Sequence, residues 1–332
     1  ILGCFNVIVD SKENTIYQVL LKDLLEISNN AKYKRDKSTG AVFKQVRPYA
    51  YIKHMDPEDF LNEIFMGDSD FKSNVNNIDN LVKFMKQFND PLFPFIKLNN
   101  DYIGFRNGIL NKLTCEFITA DIPDNLIVKK YIDQDFEYSV KTPLLDSVLD
   151  YQFEPNVRDF IYMCLGRTFG IRDNFQFMPF LLGEAECGKS LILEVLTECF
   201  DNFASIDTSY ETKYGLAYLY DKDIIISDDL PKFISQIFPQ QTFQTIISGG
   251  KVSTAVKNKD AFHINNWKAP MIWAGNWFMD YKDMGQISRR VLVANFEKRV
   301  ISPDTTLSKR IIETELPAFI YKCLKYYKNI LD

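Results

Sequence analysis

Three short polar clusters, each directly after an apolar run, are the residues of this sequence best suited to chemistry. The first runs from Gly183 to Ser190 and reads GEAECGKS. A glycine, four variable residues, Gly-Lys and then Ser or Thr is the pattern of loops that surround phosphate groups with backbone amides and a lysine. An apolar run, residues 175–182, precedes it, and a helix-like stretch, residues 191–200, follows it. The sequence therefore predicts a strand, a phosphate-binding loop and a helix.

If ATP is the ligand of this loop, individual side chains have specific expected roles. Lys189 is expected to reach the β- and γ-phosphates, and the Ser190 hydroxyl to ligate Mg²⁺. The predicted ATP-binding residues are Gly183, Glu184, Ala185, Glu186, Cys187, Gly188, Lys189 and Ser190. Pro179 lies inside the expected strand and removes a hydrogen-bond donor, so the strand is expected to begin after it or to bulge there.

The second cluster is the pair Asp228-Asp229, which ends the β-branched run of residues 223–227. Such a run is typical of a buried parallel strand, and open α/β sheets bind ligands at the carboxyl ends of their strands. Asp228 is expected to hold Mg²⁺, directly or through water, and Asp229 to polarise the attacking water. An acidic pair after a strand is also a common turn, but its position after the phosphate loop favours catalysis.

The third cluster begins with Asn276, directly after the apolar run of residues 269–275. Arg289 and Arg290 lie further along the chain, directly before the next apolar run. An Asn there can hydrogen-bond the γ-phosphate and the lytic water, although Gly-Asn is also ordinary turn chemistry. An arginine at the start of the next strand can stabilise transition-state charge at a neighbouring subunit's nucleotide. Arg290 is the first choice because it adjoins the strand. A surface salt bridge is the alternative for either arginine.

A basic hairpin is predicted between the acidic pair and Asn276. Two β-prone arms, residues 252–256 and 261–264, flank a polar tip at residues 257–260. Lys257, Lys259 and His263 are the candidate DNA-binding residues, since cationic tips can grip the phosphates of a nucleic-acid strand. The alternative is a hairpin that is merely solvated.

The remaining chain is predicted to form three regions. Residues 1–145 are expected to be a mostly helical domain with a hairpin near 102–118, residues 146–300 an α/β domain, and residues 301–332 C-terminal helices. Proline after a polar residue marks helix starts. These signals occur at Asp56-Pro57, Thr142-Pro143, Glu154-Pro155 and Ser302-Pro303, and Leu316-Pro317 marks a further expected start.

Residues 32–53 carry a concentration of basic side chains, with Asp36 as the one acidic residue. Nucleic-acid contact is one interpretation of this segment. A solvated, flexible loop is the other, because Ser38-Thr39-Gly40 inside it is typical of a turn. The sequence alone leaves both open.

Composition sets further bounds. The 332 residues are 46% hydrophobic and 25% charged, with a net charge of −5, so nucleic-acid contact is expected to be local. Six cysteines without a CxxC pair and two histidines argue against a zinc site or a disulfide framework and favour a reducing, intracellular compartment. No apolar run is long enough for a membrane span. The chain is expected to be a soluble piece of a longer protein.

The order of phosphate loop, acidic pair, basic hairpin and Asn276 resembles the superfamily 3 helicases, which are AAA+ motors of DNA viruses, plasmids and satellite phages. Upstream, residues 105–110 and the helices of residues 142–170 resemble the helical domain that precedes the motor in poxvirus-type primase-helicases and their virophage and satellite-phage relatives. The resemblance covers roughly residues 60–300. It implies an AAA+ P-loop domain with a mainly parallel sheet flanked by helices, preceded by a helical domain and followed by a short helical tail.

This resemblance also implies a function. The expected activity is ATP-dependent, Mg²⁺-requiring helicase movement on single-stranded or forked DNA, by a hexameric ring with nucleotide sites between subunits. A primase domain, if the parent protein has one, would precede Ile1. The main alternative is a nucleotide-controlled loader or assembly ATPase that binds DNA without unwinding it. A degenerate ATPase acting as a structural ring is disfavoured, because all expected catalytic side chains are present.

Overall fold

A computed structural model describes residues 11–67, 75–207, 215–256, 259–282 and 284–332. Contacts divide the chain into two units. The first comprises Ile1–Ile109 and Ile118–Tyr131, and the second Leu110–Phe117 and Ile132–Asp332. No helix in the described ranges combines the length and apolar character that crossing a membrane requires. The sequence-based boundaries near 145 and 300 remain predictions.

The first unit combines helices with short strands. Its helices are α1 (Ser11–Asn30), α2 (Pro57–Ile64) and α3 (Val75–Gln87), and its first three strands are β1 (Lys34–Arg35), β2 (Val42–Arg47) and β3 (Ala50–Met55). These strands form an antiparallel sheet. Helix α2 begins at Pro57 as predicted, but the described part of residues 1–145 is a mixture of helix and strand rather than mostly helical. Register shifts in β2 and β3 interrupt the alternation by which strands are recognised.

A second sheet contains the hairpin that the sequence predicted near residues 102–118. Its strands are β4 (Leu98–Phe105), β5 (Gly108–Asn111), β6 (Phe117–Ile118) and β7 (Ile127–Ile132). They lie in the order β6-β5-β4-β7, and the turn Arg106–Asn107 joins the neighbouring strands β4 and β5. The hairpin is therefore present, but its turn is Arg106-Asn107, and Gly108 is already the first residue of β5.

Arg35 shows that one member of the basic segment has a structural role. Its side chain is fully buried, and its guanidinium donates to the carbonyls of Phe93 (2.7 Å), Phe84 (2.8 Å) and Phe88. Burial lowers the pKa of Arg35 to about 10. Because all three guanidinium nitrogens bond to carbonyls of the fold, Arg35 contributes nothing to an exposed basic surface.

A parallel five-stranded sheet forms the centre of the second unit and confirms the predicted mixed α/β class. Its strands are β8 (Met178–Gly183), β9 (Phe203–Ser205), β10 (Ile224–Ser227), β13 (Met271–Gly275) and β14 (Val291–Phe296), and β11 (Val252–Val256) pairs with β12 (Lys259–Ile264) separately. The sheet order is β14-β8-β13-β10-β9. Since β13 lies between β8 and β10, the three predicted chemical clusters follow the carboxyl ends of three adjacent strands.

The helices of this unit follow the predicted starts in its first half. They are α4 (Pro143–Gln152), α5 (Pro155–Arg167), α6 (Lys189–Thr197), α7 (Gly215–Leu219), α8 (Ile234–Ile237), α9 (Gln240–Ile247), α10 (Met284–Ser288) and α11 (Leu307–Leu331). Both α4 and α5 begin at a proline, as expected.

Pro179 is incorporated into β8 without a bulge. Met178 donates its amide to Arg290 on the β14 side, so the nitrogen of Pro179 faces the opposite edge of the strand. Pairing with β13 on that edge begins only at Phe180. The missing donor therefore costs the sheet no hydrogen bond, and the strand begins before the proline rather than after it.

The C-terminal tail is one helix, so the prediction of two helices starting near residues 303 and 317 was wrong. Pro317 lies inside α11 and breaks its hydrogen-bond ladder. The helix continues because buried side chains extend along it on both sides of the proline, including Ile311, Phe319 and Cys323. Tertiary packing thus outweighs a local stop signal.

Gly166 permits the close crossing of α5 and α11, which gives a test of this packing. A Cβ at Gly166 would lie 2.0 Å from the carbonyl oxygen of Cys323. We expect Gly166→Ala to lower the free energy of unfolding by about 1–3 kcal/mol, because helix backbone must move to admit the methyl group. Urea denaturation measures the change. Gly67→Ala is the matched control, since a Cβ there meets nothing within 4 Å. Equal midpoints for the two variants would contradict this account of the crossing.

Candidate active site at the carboxyl ends of three strands

The loop between β8 and α6 requires glycine at two positions for different reasons. Gly188 has φ +94°, in the left-handed region that side chains disfavour. Gly183 has no such backbone angle, but a Cβ there would lie 2.4 Å from the carbonyl oxygen of Phe296 in β14. The first glycine of the motif therefore allows close strand packing, and the second allows the turn into α6.

Lys189 is buried at the start of α6, and its ammonium points back into the loop. Its Nζ donates to the carbonyl of Gly183 at 2.7 Å and to that of Glu184 at 2.6 Å. Burial lowers the pKa of Lys189, and the negative charge of Asp229 opposes that shift. The carbonyls compensate the buried ammonium, and a phosphate oxygen is a stronger acceptor that can replace them.

Asn276 lies beside this lysine, and the acidic pair follows the strand next to that of Asn276. The Oδ1 atom of Asn276 accepts a long hydrogen bond from Lys189 Nζ at 3.4 Å. Asp228 and Asp229 are exposed after β10, where the amide of Leu230 donates to Ala274 of β13 at 2.8 Å. The structure thus brings together an ammonium, an amide and a carboxylate from three different strand ends. Such a set can neutralise a phosphoryl group while a carboxylate orients a water molecule.

The side chains expected to hold Mg²⁺ offer suitable donors. Ser190 is exposed in the first turn of α6, and Asp228 is exposed after β10. In the described ranges no cluster of three or more His, Cys, Asp or Glu residues could hold a metal. Mg²⁺ bound with a nucleotide needs no such cluster, because phosphates and water supply most of its oxygen ligands. One hydroxyl and one carboxylate therefore fit this ion.

Gln152 braces the loop from outside, and no sequence signal identified it. From the end of α4, its Nε2 donates to the carbonyl of Cys187 at 2.9 Å and to that of Lys298 at 2.5 Å. Its Oε1 accepts the amide of Lys298 at 2.9 Å. The side chain is buried. Its partners are backbone groups that are distant in sequence. The residue types at these positions therefore do not predict the contact.

The segment after β14 supports the same loop. The amide of Val300 donates to the carbonyl of Glu186 at 2.9 Å. Arg299 also forms an ion pair with the Glu186 carboxylate at 2.5 Å, but both side chains are largely exposed, so this pair contributes little. The backbone bond and Gln152 are therefore the main links between the loop and the end of β14.

The two candidate finger arginines differ in accessibility. Arg290 is buried and donates from NH1 to the carbonyl of Gln286 at 2.8 Å, whereas Arg289 is exposed. Burial, and then the charge of Arg289, lower the pKa of Arg290. An arginine that reaches another subunit has to extend from the surface, so the geometry favours Arg289 over the first choice made from sequence.

The predicted basic hairpin is present as β11 and β12. Val252 and Ile264 at its base are buried in the core of the second unit. His263 is exposed, and its Nδ1 lies 2.8 Å from the Ser253 hydroxyl across the strand pair. Lys259 is the first residue of β12, and Lys257 lies outside the described residues. The DNA-binding assignment of these three residues stays a prediction.

The segments that follow β10 and β13 are joined by the carboxylate of Asp280. It accepts the amide of Ser235 at 2.8 Å and the Ser235 hydroxyl at 2.5 Å. Tyr281 donates to the carbonyl of Phe238 at 2.8 Å, immediately before α9. Because α9 leads into β11, the hairpin is connected through these contacts to both the acidic pair and Asn276.

Comparison with known proteins gives limited matches. Residues 181–290 match a family of unknown function, DUF5906, and no curated protein matches. The apo structure of the NrS-1 C-terminal region is 12% identical with a TM-score of 0.48, over 96% of this chain and 72% of that one. Its A form is 13% identical with a TM-score of 0.47, over 94% and 70%. A JCV helicase with a bound compound is 11% identical with a TM-score of 0.37, over 57% and 55%. At TM-scores below 0.5, these likenesses carry no functional assignment.

The Gln152 brace predicts a specific loss of nucleotide binding. Gln152→Ala leaves backbone groups of Cys187 and Lys298 without their partner, and we expect the Kd for ATP to rise about tenfold. Isothermal titration calorimetry measures the Kd, and urea denaturation measures any general loss of stability. Gln134→Ala is the matched control, because Gln134 makes a comparable bond to the carbonyl of Ile312 at 2.8 Å. Equal Kd values in both variants would contradict a role for Gln152 in shaping the loop.

Proposed function

We propose that this chain is the ATP-driven motor of a DNA helicase that serves viral or mobile-element replication. The observation that carries the proposal is the hydrogen bond between Lys189 and Asn276, with the acidic pair following the adjacent parallel strand β10. Each side chain has the type that phosphoryl transfer requires at that place. The order of motifs along the sequence, with a basic hairpin between the acidic pair and Asn276, supports helicase action over other uses of ATP.

In this proposal, Lys189 exchanges its loop carbonyls for oxygens of the β- and γ-phosphates. Asn276 hydrogen-bonds the γ-phosphate and the attacking water, and the Asp229 carboxylate polarises that water. Mg²⁺ held by Ser190 and Asp228 would supply positive charge to the phosphate oxygens. Asn276 already lies within reach of Lys189, so little rearrangement of these side chains is needed.

We further propose that the nucleotide site is completed by a neighbouring subunit. Arg289 extends into solvent beside β14, while Arg290 is held by the carbonyl of Gln286 and anchors the turn. A head-to-tail arrangement repeats one interface around a ring, and a hexamer is the expected closure. The hairpin tips would then contact one single strand of DNA.

The proposed function predicts two activities of the unchanged protein and the effect of one substitution. We expect ATP hydrolysis, and ATP-dependent separation of a forked DNA duplex. Lys189→Ala is expected to reduce the rate of hydrolysis at least a hundredfold, because the loop loses its phosphate-binding cation. Lys222→Ala is the control, since Lys222 bonds to Asn202 at 2.9 Å instead of the loop.

The outcomes separate the alternatives. Hydrolysis without strand separation would refute the helicase and leave a nucleotide-controlled loader or assembly ATPase. Full hydrolysis by Lys189→Ala would refute the assignment of the loop.

The two arginines predict different defects. Arg289→Ala is expected to lower hydrolysis about 10³-fold or more while ATP binding and stability are retained. Arg290→Ala is expected to lower the free energy of unfolding as well, because it removes a buried side chain and its hydrogen bond.

A mixing experiment locates the active arginine. In mixed rings, Lys189→Ala and Arg289→Ala subunits should recover part of the hydrolysis, since some interfaces then contain both intact residues. Recovery with Arg290→Ala and none with Arg289→Ala would reverse the assignment. No recovery with either would argue against shared sites.

A further inference from the structure

A cavity of about 440 Å³ lies in the first unit, among residues of the basic segment. It is bounded by the turn after α1, by the end of β2 with the following proline, and by the loop before β7. The lining residues are Lys32, Gln45, Val46, Arg47, Pro48 and Asp124. The cavity is open to solvent on one side, and its volume is large enough to seat part of a small organic ligand such as one nucleotide.

Sorting the basic residues leaves two cations available in this cavity. The buried Arg35 guanidinium donates to backbone carbonyls and is not available. Lys53 forms an ion pair with Asp56 at 2.9 Å. The ammonium of Lys34 lies 5.0 Å from the centre of the Tyr51 ring. Within the described ranges, neither Lys32 nor Arg47 has an ion pair or a side-chain hydrogen bond. Lys37 and Lys44 of the segment form no ion pair among the described residues either, but they do not line the cavity, so Lys32 and Arg47 are the cations available to a ligand there.

Arg47 is the cation of this cavity best suited to an anionic ligand, because its guanidinium forms no ion pair among the described residues. Its Nε atom is enclosed from solvent and has no hydrogen-bond partner there, so that atom does not border the cavity. A ligand in the cavity therefore meets the rest of the Arg47 side chain. Arginine binds phosphate oxygens with several donors at once, so a phosphate is the acceptor that suits it best.

The other lining residues define the rest of the ligand. Val46 and Pro48 offer an apolar surface for a planar ring, whereas Gln45 and Asp124 offer acceptors and an amide donor. The carboxylate of Asp124 disfavours a simple anion and favours a ligand that also carries N–H donors. A nucleotide has both parts, since its phosphate is negative and its base presents N–H groups and a flat face.

We infer that this cavity holds one nucleotide of a single DNA strand. The phosphate binds between Lys32 and Arg47, the base lies on Val46 and Pro48, and its polar edge faces Gln45 and Asp124. The choice of DNA as the strand rests on the proposed function, but the cavity lies wholly in the first unit and uses none of the residues assigned to hydrolysis.

Fluorescence anisotropy with a labelled oligothymidylate and the full chain tests the inference. We expect Lys32→Ala and Arg47→Ala each to raise the Kd about tenfold. Each should also reduce the slope of log K against log salt by about 0.7, the value for one lost phosphate contact on a single strand. Arg47→Lys should recover part of the affinity. Lys37→Ala is the matched control, because it removes the same charge from an exposed turn outside the cavity.

Each outcome decides the matter. An equal loss in Lys37→Ala, or no loss in Arg47→Ala, would overturn the inference in favour of a diffuse basic surface or no contact.

NMR of the arginine Nε–H groups separates the sources of phosphate. A shift of Arg47 with the oligonucleotide and none with the same concentration of inorganic phosphate supports the nucleotide site, and equal shifts overturn it. ATP hydrolysis by the unchanged protein is measured in parallel, so its absence would refute the proposed function and leave the DNA result standing.

Discussion

Between Gly183 and Lys189 the backbone turns without the hydrogen-bond ladder of a strand or a helix, so its shape depends on contacts from elsewhere. Gln152 supplies the main contact by bonding at once to Cys187 and to the segment after β14. The opposite end of α4 is held by the buried Glu315 carboxylate, which accepts the amides of Leu144 at 2.7 Å and Leu145 at 3.0 Å. One short helix, fixed at both ends, therefore connects α11 to the phosphate loop.

That dependence gives the unusual C-terminal helix a role in the site. Glu315 lies two residues before Pro317, on a stretch where the local sequence favours a break. If α11 were interrupted there, the carboxylate would lose its fixed position over the start of α4. The buried residues on both sides of the proline keep the helix continuous. Packing remote from the candidate nucleotide site thus contributes to how precisely the Gly183–Lys189 loop is held.

The sequence predicted those parts of the fold in which local chemistry and tertiary structure agree. The glycines and lysine of the loop, the β-branched run before Asp228 and the Pro-initiated helices α4 and α5 all have the residue types that their conformations need. The sequence did not predict strands β1 to β3, the continuous α11 or the burial of Arg35, because distant contacts decide each of them. The roles of the catalytic and DNA-binding residues remain predictions. Gln152 had no signal at all, since its partners are main-chain atoms.

The contacts of the Asp280 carboxylate have a consequence for how conformational changes are transmitted within this unit. It joins the segment after Asn276 to the segment after Asp229, and α9 carries that joint into the hairpin. The segments after Asp229 and Asn276 and the hairpin are therefore linked by direct contacts. Linkage between sites is reciprocal, so any free energy by which bound nucleotide shifts the hairpin equals the free energy by which tension on the hairpin shifts nucleotide affinity. In the proposed motor, tension that a DNA strand exerts on the hairpin would therefore change the affinity of the loop for its nucleotide.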